Sequence, residues 1–104
     1  MFESSLNNPY LVESYVNGNN WYRIYSDGWI EQGGRAEGGL NATKTYTFLK
    51  PFASKPDVVI GTILSPAATS YQVVITSLST TSMSIYTPHA NISGVNWQAC
   101  GYIA

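Results

Sequence analysis

An all-β fold, an antiparallel β-sandwich of about eight short strands, is what this sequence predicts. Three observations lead there. Apolar residues never recur at helical spacing for more than about a turn, so an amphipathic helix has no support. Short runs of aromatic and β-branched residues are separated by Gly, Asn and Ser clusters, the pattern of strands and turns. All five prolines (Pro9, Pro51, Pro56, Pro66, Pro88) fall between those runs, where a missing N–H breaks no ladder.

Residues 11–16 form the first predicted strand, ending at Asn17-Gly18-Asn19-Asn20. Residues 21–26 and 29–34 flank Asp27-Gly28, a strong hairpin signal because both turn residues tolerate positive φ. Residues 43–49 and 58–64 follow as the fourth and fifth strands. Residues 71–78 and 83–87 make a second hairpin through Ser79-Thr80-Thr81, and residues 95–103 close the chain. At 104 residues this is one domain with a single modest core.

With a two-residue turn at Asp27-Gly28, Tyr25 is expected opposite Ile30, Ile24 opposite Glu31, and Arg23 opposite Gln32. Ile30, Tyr25 and Trp21 then share one side, and Trp29, Ile24 and Tyr22 the other. Both sides are bulky and apolar. Val58-Val59-Ile60 and Val73-Val74-Ile75 likewise lack alternation, so burial on both faces is expected. A chain this short has little material for that, and self-association is the economical solution; a sandwich covered by its own loops is the alternative.

Composition narrows the partners. Charged residues make up 11%, against roughly 25% in ordinary soluble domains, and the net charge is −1. The five Lys and Arg are scattered, so nucleic acid is excluded as an expected partner. No run approaches the ~20 apolar residues of a membrane span, and no signal peptide is visible. A surface of Ser, Thr, Asn and Gly suits neutral ligands such as sugars. Cys100 is the single cysteine and is expected as a buried structural thiol.

The stretch Trp21-Tyr22-Arg23-Ile24-Tyr25-Ser26-Asp27-Gly28-Trp29-Ile30-Glu31-Gln32-Gly33-Gly34 closely resembles the opening hairpin of the C-terminal domain of phage tail fibre proteins. The similarity continues through Tyr46-Thr47-Phe48, Pro51-Phe52 and Pro56, and ends with Trp97-Gln98-Ala99-Cys100-Gly101-Tyr102. It covers residues 18–104, with the first hairpin its specific part. The resemblance implies a homotrimeric receptor-binding tip, located on the virion at the end of a tail fibre. Its partner would be a bacterial surface polysaccharide or outer-membrane receptor. The fold also resembles the trimeric H-type lectins, which is analogy at the level of fold. Residues 1–10 would be a junction or shaft remnant, and residues 11–104 the receptor-binding domain. A structural trimerisation cap without receptor contact, and a free lectin of the same fold, are the alternatives.

Alternating strand directions sort the connections onto two ends. Asn17-Asn20, 35–42, 65–70 and 88–94 fall at one; Asp27-Gly28, 50–55 and 79–81 fall at the other, beside both termini. A shaft would enter at the termini, leaving the first group distal. Within it Asn19, Asn20, Arg35, Glu37, Tyr71, His89 and Asn91 are the candidate receptor-binding residues, since amides and carboxylates pair with hydroxyls and a ring stacks on sugar.

No catalytic residue is assigned. His89 is the one histidine, and Asp27 and Asp57 are expected near the opposite end from it, so a Ser-His-Asp triad does not assemble. No spacing joins two of Glu13, Glu31, Glu37 and Asp57 into a glycosidase pair. Neither a cofactor nor a metal is expected, save a three-fold His89 site if that residue sat on a trimer axis. Gly33-Gly34 and Gly38-Gly39 are read as places of close packing by Trp21 and a neighbouring strand, not as phosphate loops.

Overall fold

The computed structural model describes residues 8–65 and 72–104. They form a single antiparallel sheet of β1 (Leu11–Asn17), β2 (Asn20–Tyr25), β3 (Trp29–Thr47), β4 (Asp57–Leu64), β5 (Val74–Leu78) and β6 (Ser82–Tyr102). The order is β1-β2-β3-β6-β4, with β5 on β6 as well. All-β and antiparallel, as the sequence predicts, the sheet differs in strand count.

Two of the strands are unusually long, 19 residues in β3 and 21 in β6, and both fold back at mid-length. Lys44 and Glu37 show how sharply. Seven residues apart on a straight strand they would be separated by roughly 23 Å, yet their ion pair measures 2.8 Å. The Glu37 N–H also donates to Tyr46 Oη at 2.9 Å. The bend coincides with register shifts between Glu37 and Ala42. Gly38 sits there because a Cβ would collide with the Ile92 carbonyl, and Asn41 takes φ +47°. Buried Thr87 ties the corner by donating to Gly39 O at 2.9 Å, and Tyr86 Oη donates to Asn41 Oδ1 at 2.7 Å.

The fold-back turns one sheet into two layers. The larger holds β1, β2, the first half of β3, the second half of β6, and β4; the smaller holds the remaining halves and β5. Predicted strands three and four are thus two halves of β3, and seven and eight two halves of β6. The loops expected at 35–42 and 88–94 are its corner.

Between the layers lies the core. Ile24, Ile30, Val95 and Ala99 face Met83, Ile85 and Phe48. Phe48 packs edge-on to Phe52 at 5.1 Å and tilted to Trp97 at 5.8 Å, linking the layers. Besides Thr87 at the corner, Gln32 is the buried polar residue among those described: its amide donates to Lys50 O at 2.7 Å and accepts from Lys50 N at 3.2 Å. Both ends are satisfied, so its burial costs little.

The hairpin register differs from expectation by one residue. Ile24 pairs with Ile30, Arg23 with Glu31, Tyr22 with Gln32, and Trp21 with Gly33. Only Gly28 of the turn has positive φ, +88°, and its N–H donates to Tyr25 O at 2.9 Å. That is a three-residue loop closed by glycine, not a two-residue one. A slip of one moves every side chain to the other face. Tyr22, Ile24 and Ile30 therefore share the core side, while Trp21, Tyr25 and Trp29 share the outer side.

The two expected ends are present among the described residues; the connection at 66–70 and residues 1–7 lie outside those residues. Ile103 N donates to Gly28 O, Phe52 N to Thr80 O and Ala53 N to Tyr102 O, gathering those turns beside the C-terminus. Ser93 Oγ donates to Leu64 O near the corner, at the other end.

Candidate functional site

The outer face of the larger layer carries a cleft of about 510 Å³. Strand pairing dictates its lining. Arg35 stands opposite Asn96, Gly33 opposite Gln98, and Gln98 opposite Val59, so these side chains project on the same side. Asn19 enters from the β1–β2 turn, where Gly18 supplies the positive φ (+63°) that a tight hairpin needs at its first position. A break in the β4–β6 ladder between Ile60 and Ile63 brings in Gly61 and Thr62.

Two glycines shape this surface. Gly33 admits the Trp21 ring, whose atoms lie 2.8 Å from where a Cβ would stand. That is the close approach expected of Gly33-Gly34. Gly94 seats Arg35, whose Nε lies 2.6 Å from the place of a Cβ. Toward the termini the same face carries Trp29 edge-on to Tyr102 at 5.2 Å. Arg23 lies 4.9 Å from the centre of the Trp21 ring, a cation–π contact.

Charge on this face is arranged unevenly. Arg35 is the one charged residue lining the cleft, and among the described residues it has no ion pair. Glu31 and Asp57 flank the far end, both paired to Cys100. Burial chiefly pushes the Cys100 thiol up, so it stays protonated at neutral pH. It is half-buried on the cleft side, not in the core as expected. A hydrogen bond to Glu31, above all, raises the Tyr25 phenol; one to Glu13 does the same for Tyr22.

The candidate residues divide. Asn19 and Arg35 meet in the cleft. Asn20 turns the other way, its Oδ1 filling the space beside Gly34. Glu37, His89 and Asn91 belong to the corner: Glu37 is held by Lys44, and His89 Nδ1 accepts from Asn91 N at 3.0 Å. Tyr71 lies outside the described residues. His89, opposite Gly39, is at the other end from Asp27. Among the described residues no His, Cys, Asp and Glu gather as a metal site. Sequence reasoning missed Trp21, Asn96 and Gln98 as site residues. The signal was there in Val95-Asn96-Trp97-Gln98-Ala99, where polar residues alternate with buried ones.

A single chain leaves apolar residues open on both faces. Every residue of β1 is exposed, Val16 by 74%, and so is Val59 of β4 by 63%. The two-sided burial expected of the Val58 run is thus not provided by this chain alone among its described residues.

No family model matches the sequence, and no curated protein does. Solved structures are similar. The C-terminal part of the P. aeruginosa R2 pyocin fibre superimposes with TM-score 0.67 at 20% identity, over 95% of this chain and 28% of that one. The N-truncated R1-type pyocin tail fibre gives 0.64 at 24% identity, over 97% of this chain and 93% of that one. An N-truncated R2-type fibre gives 0.65 at 20%, over 95% and 41%. The chain spans less than half of the R2 fibre chains it matches, and it shares the fold of the pyocin tail fibre C-terminal domain.

Proposed function

We propose that this chain is the receptor-binding tip of a tail fibre, phage or phage-derived, acting as a homotrimer on a bacterial surface glycan or outer-membrane structure. One observation carries the reading: the fold likeness to the N-truncated R1-type pyocin tail fibre over 93% of that chain. The exposed apolar residues of β1 and the Trp29–Tyr102 end of the outer face, outside the cleft lining, support association, since they exceed what a lone subunit needs on its surface. Recognition is then a multivalent event, in which weak single sites gain strength from three copies on one rigid tip.

Adsorption competition is the test. Light scattering on the purified domain should give the mass of three chains, and that trimer should slow adsorption of the parent particle to its host. A trimer that leaves adsorption unchanged would instead be a structural cap. A stable monomer would remove the basis for either.

A further inference from the structure

We propose that the outer-face cleft is the receptor site, and that it takes a sugar ring bearing an anionic substituent, bound with its anion on Arg35. The inference rests on the tail-tip reading above. It names the place and the ligand class.

The cleft's volume of about 510 Å³ lies within the roughly 300–1,000 Å³ of small-ligand clefts. Its chemistry is selective. Arg35 provides a planar fork that matches a carboxylate or phosphate with paired hydrogen bonds. Among the described residues no carboxylate lines the cleft, and Glu37, opposite Gly94, is held by Lys44. Gly94 keeps the guanidinium lying across bare backbone, because any side chain there would meet Nε, Nη2 and Cζ within 2.6 to 3.2 Å. The guanidinium thus has room over Gly94, and among the described residues no ion pair competes for it.

The rest of the lining suits hydroxyls. Asn19 and Asn96 offer amide donors and acceptors that make no hydrogen bond among the described residues. Gln98 reaches only Cys100 Sγ, a weak contact at 3.5 Å. Thr62 adds a hydroxyl, and Trp21 and Val59 give apolar walls for the C–H face of a ring. The arrangement also has a direction. Glu31 and Asp57 beside Cys100 repel an anion from that end, so the charged group goes to Arg35 and the hydroxyls toward Gln98.

The test uses the whole protein with glucuronate, glucose, glucose 6-phosphate and inorganic phosphate as probes, followed by amide and side-chain NMR shifts. Glucuronate and glucose 6-phosphate should shift the Trp21 indole and the Asn19, Asn96 and Gln98 amides. The relative response to the two reports whether the preferred anion is carboxylate or phosphate. Binding of the better one should be about tenfold tighter than that of glucose, and tighter than phosphate alone. Arg35→Gln should remove the preference for the charged sugar while leaving the thermal midpoint unchanged. Gly94→Ala, which displaces the guanidinium without altering charge, should weaken it too.

Equal binding of glucose and the charged sugars, shifts confined to other surfaces, or phosphate binding as tightly as either charged sugar would each overturn the inference. If none of the probes binds while the domain still competes for adsorption, this site falls and the tail-tip reading stands. If the charged sugars bind as described but adsorption is untouched, the cleft stands as an anionic-sugar site, and its role as the receptor site falls together with the tail-tip reading.

Discussion

The inner and outer faces of the larger layer are built from similar residues, and the chain closes only one of them. Inside stand Tyr22, Ile24, Ile30, Val95, Trp97 and Ala99, all buried against the smaller layer. Outside, from the same strands, stand Trp21, Arg23, Tyr25, Trp29, Glu31, Arg35 and Tyr102, with Tyr102 still 55% exposed. Aromatic content does not separate the two. The setting of the polar groups does: among the described residues the inner face holds Gln32, bonded at both ends, and at its β1 edge Glu13, which accepts from Tyr22, while the outer face interleaves rings with ionised groups left open to solvent. An inner face of that kind specifies a fold, and an outer one of that kind keeps a soluble surface that can still make contacts.

The largest expected difference between the faces comes from adjacent residues of one strand. Ile30 is 0% exposed, so Ile30→Asp places a carboxylate in the core at a cost above about 4 kcal/mol. That is comparable to the whole stability of a domain this size, and the variant should lose its β signal in circular dichroism. Trp29→Asp lies on the outer face and should keep that signal while light scattering falls to the mass of one chain. Two folded proteins of unchanged mass would erase the distinction between the faces.

Much of this fold is legible in the residues. The runs that alternate or cluster β-formers mark the strand segments on either side of the corner, because strand propensity acts locally; Pro9, Pro51 and Pro56 lie between strands as expected, Pro66 is outside the described residues, and Pro88 sits within β6 at its corner. Two features escape. The corner at Gly38 and Asn41 keeps its backbone bonded in a bent ladder, and residues such as Arg35, Ala36 and Glu37 carry turn-like composition while remaining strand. Hairpin register depends on whether one glycine or two residues take positive φ, which Asp27-Gly28 permits either way. The candidate cleft was readable in part. Asn19 and Arg35 follow from loop position, but Asn96 and Gln98 become lining residues only once the face of β6 is known. Glu37 looks like a ligand-seeking loop acid in sequence and is spent on Lys44 in the fold.

A matched pair of glutamines sharpens the contrast at lower cost. Gln32→Ala removes both partners of Lys50 from the core side, with an expected loss of about 1–3 kcal/mol. For a domain near this length each kcal/mol lowers the thermal midpoint by roughly 4–8 °C, so calorimetry resolves it. Gln98→Ala, on the outer face with only a long contact to Cys100, should stay within about 0.5 kcal/mol of the parent. Equal losses at the two positions would mean that the outer face is as tightly specified as the inner one.

The smallest effect belongs to the Glu37–Lys44 pair, which sits exposed beside the corner. Lys44, by hydrogen bond and then by charge, holds the Glu37 carboxyl below its ordinary range; Glu37 in turn raises the Lys44 ammonium. The signs fix the window. The carboxyl's share of stability is present above its unfolded pKa and is lost as pH falls through the lowered folded value. The ammonium's share is present below its unfolded pKa and is lost as pH rises through the raised folded value. A double-mutant cycle with Glu37→Gln and Lys44→Gln, read by denaturant unfolding, should therefore show coupling at neutral pH. That coupling should fade in strong acid, in strong base and at molar salt, as it must for an exposed pair. Coupling that survives all three would make the pair a fastener of the fold-back, because solvent would then have no access to the inside of the bend.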